Sequence, residues 1–555
     1  MKKITYLLLG TGILVSCKNF DAYNKHIDTE ISAKKLHKDV DFVEKNLFKL
    51  HPDADWYISK ESLHKKFDSL KSTITTAMKP NDFFMKISPI IAEVRQGHMG
   101  IYPLTYTYST EQKKKYKKSI NPLSGYEYIY KDNKLVISKN KRKDKKDEFI
   151  QIGTEVLSIN GIKPQDLYNK YRKTYSSDGF NETFINPYFA RRANTYYIAE
   201  LKFVDSVKME LKCADSVFFH TSYRIFKEKT KTSKDTLSKA KKDSIATVKK
   251  DSLAAIEKKN DTIAKPILSK KEQKALKKKE TEEKLLKHKI ERWKGYNSED
   301  KTYAKELSYP IENDSTVAVL KLTTFSEGSA KIYDTIFKEI ESKNVEHLII
   351  DLRGNTGGRL DDIYKLSKYL NKEDYYFVDP ATVTKKTFAF NMARGKSFAF
   401  KTLLFPFWGT FATIRTFQTK KEDGLWKNYS KSAKLTKPNE HAFTKKLYVL
   451  TDGLTFSAGA IIASHMDGIE GTTFVGEETG GTYNGTVAGQ MPQLELPHSK
   501  LKWRVGLMSI KPSNKTKEEG YGVKPDVEII PSIDDIIEKN DTGLDWILKD
   551  IQSKK

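Results

Sequence analysis

The chain predicts a mixed α/β protein with a helical front end, a short-stranded middle and a C-terminal part that alternates strand and helix. Three patterns carry this. From about residue 297 to 540, strand-length apolar runs alternate with runs whose apolar residues step by three and four: STVAVLKLTTF, GSAKIYDTIFKEIESKN, then VEHLIIDLRGNTGG. Residues from about 28 to 112 show the helical step alone, and residues from about 116 to 217 show short alternating runs cut by turn residues. At 555 residues the chain is long enough for two to four domains.

Taken in order, the chain opens with MKK and the apolar stretch ITYLLLGTGILV, too short to span a membrane comfortably, then LVSC, ending at Cys17. Small residues before a lone Cys resemble the lipobox of bacterial lipoproteins, in which cleavage precedes the Cys and its thiol and new N-terminus are acylated. The alternative is an ordinary signal peptide that ends near a Cys. The expectation is a leader over 1–17 and a lipid anchor at Cys17, holding the protein to a membrane of the bacterial cell envelope, periplasmic or surface-facing. The one other cysteine, Cys213, lies in the strand-like VKMELKCADS and is expected to be a small buried apolar residue.

Helical pattern follows in ISAKKLHKDVDFVEKNLFKLHP, SKESLHKKFDSLKSTIT and NDFFMKISPIIAEVRQG, which breaks at Gly97. With the tether, residues 18–112 form the expected helical domain. In 113–225, GYEYIYKDNKLVIS reads as a hairpin around Asp-Asn, and QIGTEVLSINGIKPQDLYNKY as strand, Asn-Gly turn and helix. The latter resembles the core of a PDZ domain. Residues 226–296 are Lys-rich and of low complexity. From Arg224 to Lys294 there are 24 Lys plus Arg against 11 Asp plus Glu, half of the chain's net +26. Interleaved aromatics are lacking there, which argues against nucleic acid as partner. A solvated charged arm is the simplest reading, and an anionic membrane surface a more natural partner than bases. Residues 297–555 complete the α/β part. Within it SFAFKTLLFPFWGTFATIRTF is broken for spanning by Lys401, Pro406 and Arg415. It reads as core packing, with a lid or substrate wall as the alternative.

Three loops follow buried strands in this last part, the position where α/β folds build sites. They are DLRGNTGG (Asp351–Gly358), TDGLTFSAGA around Ser457, and GEETGGTYNG (Gly476–Gly485); GVKPDV follows at Gly522. In this order the four motifs resemble the tail-specific, C-terminal-processing serine peptidases. The resemblance implies a ClpP/crotonase-like catalytic domain, with Ser457 as nucleophile at a helix N-terminus. A serine there is otherwise a helix cap. Free N–H groups of a first helical turn suit an oxyanion. Ala458 and the turn at Gly357 or Gly358 are the expected donors.

One branch of that family places Lys 25 residues after the serine. Here Thr482 stands there, and Glu478 replaces a Lys common in that branch. The tricorn-like branch uses an upstream His, and VRQGHMGIY supplies Gly97-His98, with Gln96 where Asp is often seen. His98 is thus the expected general base, with a capping or buried His as the alternative. The resemblance implies Glu519 as its orienting partner, with Glu518 in reserve. His465 sits eight residues along the Ser457 helix and cannot reach back, while the direction His347 faces is open. Asp351 and Arg353 read as a strand-end ion pair. HExxH, paired Cys and a P-loop are all missing, so neither metal nor other cofactor is expected. The expected function is a serine endopeptidase acting on polypeptides. The alternatives are a non-catalytic peptide- or apolar-ligand-binding lipoprotein on the same fold, or a purely structural surface lipoprotein. Oligomeric state stays open.

Overall fold

The computed structural model describes residues 20–117, 119–142, 149–226, 270–298 and 300–554. Cys17 with its leader, and residues 227–269 of the Lys-rich segment, lie outside the described residues.

Four helices open the chain: α1 (Phe20–Asp28), α2 (Ala33–Leu50), α3 (Lys60–Ser72) and α4 (Pro80–Ala92). Helix α2 buries Leu36, Val40, Val43, Leu47 and Leu50, the face its three- and four-residue steps define. Ser59 caps α3 by accepting the N–H of Ser62. After α4 the chain turns through Gly97-His98 into a short strand, β1 (Gly100–Tyr102).

The middle region is an antiparallel sheet in sequence order: β2 (Tyr126–Lys131), β3 (Lys134–Asn140), β4 (Glu155–Ile159), β5 (Ser206–Cys213) and β6 (Ser216–Tyr223). Asp132 and Asn133 both take positive φ (51° and 60°), the two-residue turn that matches strand twist. Helices α5 (Pro164–Tyr171) and α6 (Ile185–Leu201) lie between β4 and β5, and α6 packs on β2. Cys213 is half-buried at the end of β5, not buried as expected, because the strand runs out into a turn there. Helix α7 (Lys270–Lys294) follows and is exposed over most of its described side chains.

The C-terminal part is built on a six-stranded sheet. Its strands are β7 (Lys305–Ser308), β8 (Val317–Leu322), β9 (His347–Asp351), β13 (Lys446–Thr451), β14 (Thr473–Gly476) and β19 (Val527–Glu528), in that spatial order. All neighbours from β8 onward pair in parallel; the edge strand β7 is antiparallel. Both faces are buried, which is why the strands read as unbroken apolar runs. Val319, Ile349, Tyr448 and Val475 face Ile547 and Ile551 of the last helix, α13 (Thr542–Ser553). Leu320, Ile350 and Val449 face the opposite core with α8 (Ile332–Ser342), α9 (Leu360–Ser367) and α12 (Ala458–Asp467).

A second, antiparallel sheet runs β11 (Thr419–Glu422), β12 (Leu425–Asn428), β10 (Ala381–Val383), β18 (Met508–Ile510), β15 (Thr486–Ala488). A third joins the two ends of the molecule: β1 pairs with β17 (Lys502–Arg504), which pairs with β16 (Gln493–Glu495). This pairing carries the segment after α4 across to the C-terminal part.

The stretch expected as core packing does not pack so. It forms helices α10 (Phe398–Leu403) and α11 (Phe405–Phe417), in which most large apolar side chains are exposed and Trp408 is half-buried against the core. An apolar run states that a segment avoids water, not which surface will cover it.

Candidate active site

Ser457 sits between β13 and α12, at φ 57° and ψ −121°, a left-handed backbone for a residue with a side chain. Such a conformation costs on the order of 1–3 kcal/mol and persists only when its surroundings impose it. They do so here through glycine. A Cβ at Gly357 would stand 2.7 Å from Ser457 Cβ and 2.9 Å from both the Ala458 N and the Phe456 O. The Phe456 N–H donates to the Asn355 carbonyl at 3.0 Å, and the Asn355 side chain donates to Leu322 O at 2.7 Å. The Gly-rich turn and the serine turn are therefore one tied unit.

The two expected donors in the glycine turn differ. Gly357 N–H is taken by Asn355 Oδ1 at 2.8 Å, so it is committed to holding its own loop. Gly358 N–H and Ala458 N–H have no acceptor among the described residues. Of the two glycine-turn N–H groups, that of Gly358 is thus the one left uncommitted, while Gly357 supplies clearance beside Ser457.

His98 arrives from the front of the chain. Arg504 Nε donates to the His98 carbonyl at 2.7 Å, and Gln96 Oε1 accepts the Val487 N–H at 3.2 Å, pinning the segment to β17 and β15. The imidazole stacks on Phe456, the residue before Ser457, with ring centroids 5.0 Å apart. Its Nδ1 meets Thr486 Oγ1 at 3.1 Å, and no hydrogen bond joins it to Ser457 among the described residues. With Nδ1 donating to Thr486, Nε2 is left as the acceptor. Burial first, and the Arg504 guanidinium second, push His98 down to about 3, so the ring is neutral at pH 7.

Asp178 lies behind this pair. Its Oδ1 accepts the Gly97 N–H at 2.8 Å, while its Oδ2 is buried without a partner among the described residues. Burial pushes its carboxyl up to about 7, against the Gly97 N–H and the nearby Thr486 hydroxyl, which favour the ionised form.

The structure gives Glu519 other partners than His98. Its oxygens accept from Asn484 Nδ2 at 2.8 Å and Trp56 Nε1 at 3.2 Å, because the loop after β18 folds against the Asn484 turn. Glu518 pairs with Lys524 at 2.6 Å. Thr482, at the Lys position of the other branch, donates to Gly485 O. His465 is buried against Tyr375 and Phe377 with Asn371 at 2.8 Å, and His347 begins β9 at the end opposite the glycine turn. Asp351 and Arg353 do form the ion pair, extended to Asp541 at 2.7 Å.

Residues 316–529 match the model of peptidase family S41. Over that stretch the chain is similar to the S41 peptidases.

The carboxy-terminal processing protease CtpB of Bacillus subtilis is 33% identical to it over 66 residues, 12% of this chain and 14% of that protein, so the chain aligns with a small share of that relative. Mature CPAF superimposes with a TM-score of 0.56 at 14% identity, over 94% of this chain and 96% of that one. Mature CPAF complexed with lactacystin gives 0.55 at 13%, over 94% and 97%. At such identities the likeness is one of mixed α/β fold. The matched stretch spans Ser457, both glycine loops and Thr486; His98 and Asp178 lie outside it in sequence.

Asp178 and Thr486 were not foreseen. Each is separated from His98 by a long stretch of chain, and neither stands in a motif. A cavity of about 990 Å³ also went unread. It lies between β2–β3, α6 and the strand-end loops, lined by Glu127, Glu182, Arg191, Arg353, Asp452 and Glu477 among others. Among the described residues no group of three or more His, Cys, Asp or Glu is placed to hold a metal ion, and no helix is long and apolar enough to cross a membrane.

Proposed function

We propose that the protein is a serine endopeptidase of the bacterial cell envelope, anchored through an acylated Cys17. The observation that carries this reading is the forced left-handed backbone of Ser457 at a helix start, with the His98 ring stacked on the residue before it. Ser457 Oγ attacks a peptide carbonyl carbon as its proton passes to His98 Nε2. The N–H groups of Ala458 and Gly358 take the oxyanion. The imidazolium then gives its proton to the leaving amine, leaving an acyl-enzyme that water hydrolyses by the reverse proton route.

Thr486 orients the imidazole through Nδ1, with Asp178 behind it, and Glu519 orders the Asn484 turn. A ring held near pKa 3 is a weak base, so the free enzyme is poised below full strength. Closure around a substrate would bring Nε2 to Ser457, since such hydrogen bonds often tighten only in the complex. The C-terminal part is the ClpP/crotonase-like catalytic unit. The antiparallel β2–β6 sheet is the PDZ-like unit, and it borders the large cavity, where a polypeptide would be held.

Hydrolysis of an unfolded protein such as denatured casein by the full chain tests this. The wild type should cleave it, and Ser457→Ala should abolish cleavage while leaving the thermal midpoint within a few degrees. A wild type that binds unfolded peptide with unchanged affinity in Ser457→Ala, and turns over none, would instead identify a peptide-binding protein on a peptidase fold.

A further inference from the structure

The α10–α11 pair inverts the pattern of an ordinary surface helix. In α11 the fully buried residues are small, Gly409 and Ala412, and Trp408 is the large side chain half-buried against the core. Most of the other large ones face outward: Phe398 is 81% exposed, Leu403 77%, Phe407 76% and Phe417 80%, with Phe405, Phe411 and Ile414 also in solvent. Scattered surface apolar residues need no explanation, but a contiguous aromatic patch of this kind marks a binding face.

Charge says what kind of face. From Pro380 to Lys421 the chain has eight Lys plus Arg and neither Asp nor Glu. Lys386, Lys396, Lys401, Lys420 and Lys421 are exposed in the same stretch of chain. Exposed phenylalanine and leucine in a stretch with lysines and no carboxylate is the composition of segments that lie in a membrane interface.

Position says the same. The segment entering α10 is held by the β16–β17 hairpin: a Cβ on Gly395 would come 2.5 Å from the Gln493 carbonyl oxygen. That hairpin also holds α1, whose His26 Nε2 meets Ser499 O at 3.2 Å. Helix α1 starts three residues after Cys17, a reach of roughly 10 Å. The aromatic face and the point where the chain leaves toward the expected anchor thus share one part of the molecule.

We propose that the α10–α11 hairpin seats its aromatic side chains in the headgroup–acyl boundary of an anionic lipid bilayer, with the lysines of that stretch on the lipid phosphates. The hairpin fixes the body against the membrane, which a lipid tether alone leaves free to swing. The inference stands apart from the peptidase reading, since no step uses Ser457.

Flotation with lipid vesicles tests it, using the full chain with Cys17→Ala so that acylation contributes nothing. Vesicles of phosphatidylcholine mixed with phosphatidylglycerol should bind about tenfold more tightly than phosphatidylcholine alone, and less so in high salt. Combined Phe398→Ser, Leu403→Ser, Phe407→Ser and Phe417→Ser should weaken that binding by about tenfold or more, with an unchanged thermal midpoint. Any binding by the leader is common to both proteins, so their difference reads the hairpin. Equal binding of the two proteins to anionic vesicles would overturn the inference. A wild-type dimer that the four serines convert to monomer, with vesicle binding unmoved, would overturn it too, and would assign the face to a second copy.

Discussion

Helices α11 and α12 are both rich in apolar residues, and the fold uses them in opposite ways. Every residue of α12 from Ala458 to Met466 is buried, and a Cβ on Gly481 would stand 2.6 Å from Ala460 Cβ, so only glycine lets that loop close on the start of the helix. In α11 only Gly409 and Ala412 are fully buried, Trp408 is half-buried against the core, and Phe405, Phe407, Phe411 and Phe417 are exposed. The difference lies in which face is small. A helix whose small residues surround its N-terminus can be packed tightly enough to hold a serine in a strained backbone. One whose small residues form a single narrow stripe lies on a surface and offers the rest to something else.

The sharpest way to break this comparison is at the glycine that clears space for the serine. Gly357→Ala places a methyl 2.7 Å from Ser457 Cβ on a residue at φ 100°. It should lower kcat by about a hundredfold or more, and stability by about 1–3 kcal/mol, read by steady-state kinetics and denaturant melts. Next in size is a matched pair. Ile462→Ala, at a fully buried α12 position, should cost about 2–5 kcal/mol, whereas Phe407→Ala in α11 should stay within about 0.5 kcal/mol. Equal losses would mean α11 packs against the body after all.

The assignment of the orienting group is a smaller effect. Thr486→Val removes the partner of His98 Nδ1 and should lower kcat by about tenfold to a hundredfold, with Glu519→Gln changing it by less than about tenfold. The reverse ranking would restore Glu519 to that role.

The pH dependence of stability is the finest probe. His98 is depressed on folding, so its contribution is present above about pH 6.5 and is lost as pH falls toward 3. Asp178 is raised, so its contribution is present below about pH 4 and is lost as pH rises through 7. Thermal midpoints across pH should show His98→Gln flattening the acid limb and Asp178→Asn the neutral limb.

Much of the candidate site is legible in the chain because it is local. Ser457, Ala458 and the Gly357–Gly358 turn lie in strand-end motifs, and His98 follows a glycine that breaks a helical pattern. What escaped is what tertiary pairing creates. Asp178 reaches Gly97 across 81 residues, and Thr486 reaches His98 across 388, through a β1–β17 ladder that no local period announces. Glu519 stands in a loop whose register depends on packing, and Gly357 could not be told from Gly358 until Asn355 was seen to hold one N–H. The aromatic stretch was legible as apolar and misread as core, since composition carries no information about the covering surface.

The central claim is that neutral His98 activates Ser457. The direct measurement is mass-spectrometric mapping of a fluorophosphonate adduct, with its rate of formation in wild type and His98→Ala. The account predicts one adduct, on the peptide containing Ser457, formed at least about a hundredfold more slowly without the imidazole. An adduct on another residue, or an equal rate in the two proteins, would contradict it.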